Sequence, residues 1–411
     1  MNHTILILCA GITAVAGAQC GNSAMHSGST PTNDSTPVET RKPNSDYRPA
    51  FAGQTRAPGV HSKTPWEAKV LTRALSRPWG LTVLPDGRLL ITEKGGTMRI
   101  AGTDGTLSAP ITGLPAVNDA GQGGLLDVAI DPAFAQTRFV YWTFSEALPE
   151  GNLTAVGKGK LSADERRMEG ATVIYRARPA YDGTLHYGGR LVVDSAGYLF
   201  VSTGERSDLA TRPQAQWLNS ALGKVLRITR DGQPAPGNPF FNQKDAFPEL
   251  YSYGHRNIQG LALHPETGAL WESEMGPRGG DEVNRIEAGK NYGWPAITYG
   301  IEYNGSKVGP GATQAPGMEQ PVYYWDPVLS PSGITFYSGA ALPEWKNNLF
   351  LCGLNSQHIA RLVIVNDRVV GEERLLEGEK HRWRAITEGR DGALYAVTDG
   401  SPGLLYRIAK R

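Results

Sequence analysis

The sequence predicts an all-β chain folded as a six-bladed β-propeller. Three observations predict it: a strand, turn, strand phrase that recurs six times, turns marked by Asp, Pro and Gly, and the lack of any long amphipathic helical pattern.

The clearest copies open at Gly80 (GLTVLPDGRLLITEKGGTMRI), Leu125 (LLDVAIDPAFAQTRFVYWTFSE) and Gly189 (GRLVVDSAGYLFVSTGE), with turns at Asp86-Gly87, Asp131-Pro132 and Ala196-Gly197. Each reads as a hairpin. Three more open at Gly260 (GLALHPETGALWESEMG), Gly333 (GITFYSGAALPEWKNNLFLCG) and Arg384 (RAITEGRDGALYAVTDGSPGLLYRI). Their spacing is irregular, roughly 45 to 70 residues, longer than the commonest blade repeats. Radial stacking of such units leaves only short sheet edges exposed, which favours a propeller over an open sheet. A β-sandwich or a pair of smaller β domains is the other reading of the same pattern, but no proline-rich linker divides Lys69 from Arg411.

Ahead of the repeats, Ile5 to Ala18 is apolar over the length of a signal-peptide core and ends in small residues at Ala16-Gly17-Ala18. It is shorter than the roughly 20 residues that span a bilayer. Residues 1–18 are therefore expected to be a secretory leader, leaving no transmembrane segment in the mature chain and an exported, periplasmic or cell-envelope location. Cys20 sits where a lipid anchor would attach. Residues 19–65 are rich in Ser, Thr, Pro, Asn and Gly and predict a flexible linker. The propeller is expected over 66–411.

Fifty Gly and 28 Pro among 411 residues call for many tight turns. With 41 Lys and Arg against 40 Asp and Glu, no global field draws the chain to a polyanion, so nucleic acid is not an expected partner. Only Cys352 falls within the predicted folded region, which excludes an internal disulfide framework there.

Polar residues at the ends of predicted strands carry the chemistry, because loops of several blades converge at one end of a propeller channel. Gln122 lies in a Gly-flanked turn (AGQGGLLDV), and His186 stands just before a strand and two glycines (LHYGGRLVV). Arg256 and Asn257 are adjacent at a strand entrance (YGHRNIQG), where Arg offers a rigid fork of donors and Asn one donor and one acceptor. A Gly-rich turn followed by Asp281, Glu282 and Tyr292 (EMGPRGGDEVNRIEAGKNYGWP) has the oxygen-rich character a hard cation such as Ca2+ wants, without the spacing of an EF-hand. A solvated acidic loop reads equally well there. Arg382 and Arg384 flank Trp383 and share one face of an extended segment, which suits either an anionic ligand or water.

Taken in order, GQGGLLDV, HYGGRLVVD, SYGHRNIQG, GPRGGDEVN with KNYGWP, and RWRAI resemble the PQQ-dependent aldose sugar dehydrogenases, relatives of the soluble quinoprotein glucose dehydrogenases. The likeness runs across nearly all of residues 70–411. It implies a six-bladed propeller that binds PQQ and Ca2+, oxidises an aldose sugar at the anomeric carbon and passes electrons to an external acceptor, since no CxxCH haem motif is present. By matching positions, it implies that His186 is the catalytic base, assisted by Arg256. Gln122, Arg256, Asn257, Tyr303, Arg382 and Arg384 would be cofactor contacts. Gly276 and Pro277 would offer carbonyls to the cofactor-bound Ca2+, and Glu282 and Tyr292 would hold a second, structural Ca2+. Two departures stand out: Asn355 where relatives often carry a lysine, and the apolar Leu185 beside His186. A cofactor-free propeller that binds a glycan or protein, or a Ca2+-dependent propeller lactonase, are the alternatives.

Overall fold

The computed structural model describes residues 36–411, together with Met1. The expected leader over 1–18 and the candidate anchor Cys20 thus lie outside the described residues. Six antiparallel sheets follow one another along the chain, spanning 78–101, 125–176, 191–253, 258–325, 331–375 and 383–410. Each opens with the hairpin that a copy of the sequence repeat marks. The first strands of successive sheets pack side by side, from Pro78–Val83 onto Leu125–Ile130 and on to Trp383–Glu388, which returns to Pro78–Val83 and closes the ring. The fold is the six-bladed β-propeller.

Each blade buries both faces against its neighbours. Between the first two, Leu90, Met98, Trp142 and Phe144 are all fully buried, each contributing about 1.5–3 kcal/mol by leaving water. Trp142 fits only because Gly157 lies opposite: a Cβ there would sit 2.2 Å from the indole. The last sheet takes its outer strand from the other end of the chain. Trp66–Leu75 pairs antiparallel with Gly403–Lys410, Trp66 opposite Lys410 and Leu75 opposite Gly403.

A single buried arginine ties the inner strands together. Arg190, of the third blade, reaches one residue in every other blade. Its Nε donates to the Gln259 carbonyl at 2.6 Å, and its two terminal nitrogens reach the Trp79 carbonyl (3.4 Å), Asp127 Oδ1 (3.3 Å), Ser332 Oγ (3.3 Å) and the Arg384 carbonyl (2.8 Å). The indole of Trp79 lies 4.0 Å from the guanidinium carbon.

Residues 36–65 depart from the flexible linker that their composition predicts. They form a strap without strands of its own, laid along the fourth and fifth blades. Hydrogen bonds to propeller main-chain carbonyls hold it. Gln54 Nε2 donates to the Pro321 carbonyl, Arg56 to the Asp326 carbonyl, and Val60 N–H to the Glu372 carbonyl. Ala57 and Val60 are buried. The composition lacks apolar periodicity because the strap is held largely by hydrogen bonds to the propeller surface.

One strap contact carries a pH prediction. Glu39, 5% exposed, accepts two bonds from the Arg41 guanidinium at Nε 3.0 Å and Nη2 2.7 Å, and one from Arg374 at 2.7 Å. Burial works to raise its pKa, but the two arginines win and hold it at about 2, below the ordinary 4.5. A depressed carboxylate pKa stabilises the fold above the unfolded value and loses that contribution as pH falls. Glu39→Gln is therefore expected to cost on the order of 1–3 kcal/mol at pH 7 in urea unfolding. The gap from wild type should narrow as pH falls below 4.5; a gap independent of pH would show that the charge plays no part.

Candidate active site

A cavity of about 820 Å3 opens at one end of the channel. Its lining includes Trp79, Lys94, Gln122, Pro277, Arg278, Tyr303, Arg382 and Arg384. Arg382 Nε and Arg384 Nη2 both reach Asp399, at 3.1 and 3.0 Å, which fixes the two guanidiniums on one side, while Trp383 between them is buried. Arg384 also donates to Gln259 Oε1 at 3.0 Å. Asn355 lines the cavity as well. Lys94, from the first blade, also lines it, and its Nζ donates to the Asp119 and Gly121 carbonyls. Burial and the neighbouring Arg77 lower the Lys94 pKa. Tyr303, 70% exposed, stands at the rim, and Leu185 is exposed.

His186 is buried beside this cavity. Its backbone adopts φ 46°, and its N–H donates to Gln122 Oε1 at 2.8 Å, so Gln122 joins the cavity lining to the histidine. Gly204 lets the chain pass behind it: a Cβ there would lie 2.2 Å from the His186 carbonyl. Glu205, 1% exposed, meets His186 Nδ1 at 2.8 Å and also accepts from Ser207 N–H. A carboxylate on Nδ1 fixes the proton there and leaves Nε2 as the basic nitrogen. Burial, then the nearby Arg256, lower the His186 pKa below its ordinary 6.5, with Glu205 opposing.

Arg256 and Asn257 present unused donors. Arg256 donates from Nη1 to the Met275 (3.0 Å) and Gly276 (2.6 Å) carbonyls and lies over the Trp294 ring, yet its buried Nε has no partner. Asn257 Oδ1 accepts from Gly188 N–H at 3.1 Å, and its buried Nδ2 is likewise unpaired. Asp281 braces the turn at Gly276 and Pro277. It accepts from Gly276, Leu329 and Ser330 N–H groups at 2.7–2.9 Å, while burial pushes its pKa up to about 6.

A second cluster lies in the fourth blade. Strands Leu270–Glu274 and Asp281–Ile286 pair so that Glu272 faces Asn284 and Glu274 faces Glu282. Directly opposed like charges repel. Glu272 and Glu282 have pKa values raised by burial and then by Glu274. His255 joins Glu272 and Glu274, with one ligand atom from each within 4.8 Å of the others. Buried Glu272 Oε2 and Asn284 Oδ1 find no donor. A group of acceptors with no donor fits a bound cation. Tyr292 packs against this cluster. Its hydroxyl is occupied, donating to the Arg285 carbonyl and accepting from Glu287 N–H, while its ring stacks on His255 at 4.8 Å. Only its main-chain carbonyl is left to meet an ion.

The Glucose / Sorbosone dehydrogenase family model matches residues 75–407. The chain belongs to that family. This glucose/sorbosone dehydrogenase homologue is 42% identical over 330 residues to aldose sugar dehydrogenase YliI of Escherichia coli K12, covering 80% of this chain and 88% of the relative. The solved apo form of the soluble E. coli aldose sugar dehydrogenase superposes with TM-score 0.80 at 41% identity, over 84% of this chain and all of that one. The PQQ-bound aldose sugar dehydrogenase of Streptomyces coelicolor superposes with TM-score 0.68 at 30% identity, over 85% and 100%.

Sequence reasoning missed five groups of this family member: Glu205, Trp79, Lys94, Glu272 and Glu274. The two strand glutamates had a signal, since WESE places both on one face of a short strand. Glu205, 19 residues beyond His186, had none until the chain was folded.

Proposed function

We propose that the chain oxidises aldose sugars at the anomeric carbon to lactones, with PQQ and Ca2+ bound in the 820 Å3 cavity. The observation that carries this reading is His186, held by Glu205 through Nδ1 and joined through Gln122 to a cavity rich in cations. The cavity suits a tricarboxylate quinone. Arg382, Arg384 and Lys94 line it and supply charge, while Arg256 and Asn257 stand outside that lining with buried donors, Nε and Nδ2, that have no partner.

His186 Nε2 takes the proton of the anomeric hydroxyl as hydride leaves the same carbon, and the sugar becomes the lactone. Glu205 keeps the imidazole in the required tautomer and steadies the charge it gains. The Arg256 guanidinium and Asn257 amide stabilise negative charge that develops beside them. PQQ, when bound, would supply the two-electron acceptor, and the Gly276 and Pro277 carbonyls would hold the Ca2+ that serves as its Lewis acid. Glu282 and the Tyr292 carbonyl, with Glu274 and Glu272 nearby, would hold a second Ca2+ in the fourth blade. Electrons leave to a separate acceptor, and the leader sequence supports an exported location.

A lactonase would need a metal ringed by carboxylates on the channel axis. The guanidinium of Arg190 reaches all five other blades there, and the acidic cluster lies within the fourth blade. The test is dye-linked oxidation of glucose, galactose, xylose and maltose by purified protein after chelation, with PQQ and Ca2+ added singly and together. Activity is expected only with both. Chelation should also lower the melting temperature, through the fourth-blade site. If no PQQ binds in a spectral titration and no aldose is oxidised, the reading is wrong and a cofactor-free binding propeller takes its place.

A further inference from the structure

The strap lies ahead of residues 75–407, the part matched by the family, yet Asn44 within it lines the same cavity as Arg278. Asn44 is held at three points. Its N–H donates to Asp326 Oδ1 at 2.8 Å, its Nδ2 donates to the Pro327 carbonyl at 2.9 Å, and its Oδ1 accepts from Arg278 Nε at 3.2 Å. The bond to Pro327 fixes which end of the amide is oxygen, so the acceptor is turned to Arg278. Asp326 serves the strap instead: its Oδ1 accepts from Asn44 N–H and its Oδ2 from the Ser45 N–H and hydroxyl.

Arg278 is therefore an unusual cation. The arginines across the cavity pair with Asp399, and Arg77 pairs with Asp119. Among the described residues Arg278 has no ion pair, and its only side-chain hydrogen bond is the one to Asn44. Its backbone exchanges hydrogen bonds with Ile301, so the loop is fixed while the terminal nitrogens of the guanidinium stay unbonded. A planar fork held at Nε and exposed at both terminal nitrogens is arranged for two-point contact with a carboxylate.

We infer that the strap is a working wall of the cavity, in which Asn44 positions Arg278 to receive a carboxylate of the occupant. This rests on the proposed function. The carboxylate has two sources, the cofactor or a sugar acid, and the chemistry that recognises them is the same.

The test uses the full chain and the variants Asn44→Ala and Arg278→Gln, each checked by melting temperature. Two readouts are taken: PQQ affinity by absorbance titration, and kcat/KM for glucuronate against glucose, which differ in the terminal carboxylate. Arg278→Gln is expected to lower one of them about tenfold or more. A loss of PQQ affinity assigns the carboxylate to the cofactor. A fall in the glucuronate-to-glucose ratio, with PQQ affinity intact, assigns it to the substrate. Asn44→Ala should move the same readout in the same direction by a smaller factor. If both variants leave both readouts unchanged, or slow both sugars equally with PQQ affinity intact, the inference fails alone. A wild-type chain that neither binds PQQ nor oxidises an aldose ends the proposed function and this inference with it.

Discussion

His186→Ala is expected to lower kcat for aldose oxidation by about 10²–10⁴-fold, the usual contribution of a positioned general base. PQQ affinity should change little, because the cations that line the cavity are untouched. The pH profile separates this loss from a general disturbance. Burial and Arg256 hold the His186 pKa below 6.5, so at pH 7 the ring is already neutral and able to accept a proton. Wild-type kcat/KM should rise with pH through an apparent pKa below 6.5 and then level off. Glu205→Gln should move that inflection down, since the carboxylate stabilises the charged ring, and should cost less rate than His186→Ala. An alanine variant within tenfold of wild type would remove His186 from the chemistry.

The largest stability effect is expected at Arg190. Replacing it by methionine leaves Asp127, 7% exposed, without its cation, and leaves carbonyls of the first, fourth and sixth blades without that donor. Removing one partner of a buried ion pair costs about 3–5 kcal/mol. The double variant with Asp127→Asn should recover part of the loss, because the stranded charge is gone. Urea unfolding followed by far-UV circular dichroism measures both. A cost below 1 kcal/mol would mean that the inner strands hold together without this contact.

The blades were legible because a hairpin repeats its signature locally: alternation of period two, then a turn residue, then alternation again. The strap was not. Its order comes from Gln54, Arg56, Asn44 and Ser45 bonding to propeller carbonyls and to Asp326, partners some 270 residues away that no composition reveals. Arg190 stood in plain view within HYGGRLVVD, but its partners belong to five separate blades and only ring closure brings them to one point. Five motifs placed His186, Arg256, Asn257 and the arginine pair through resemblance. The pairing of Glu274 with Glu282 needed strand register, which a sequence does not state.

The pairing of residues 66–75 with 403–410 sets an order of events during synthesis. A nascent chain makes strand 66–75 before any blade and its partner 403–410 only after every other strand. Until residues 403–410 clear the ribosome, the circle stays open with an unsatisfied edge on either side of the gap, the kind of surface that recruits other strands. If the leader directs the chain across a membrane unfolded, the same delay is an advantage, because a ring that cannot close early cannot jam the passage.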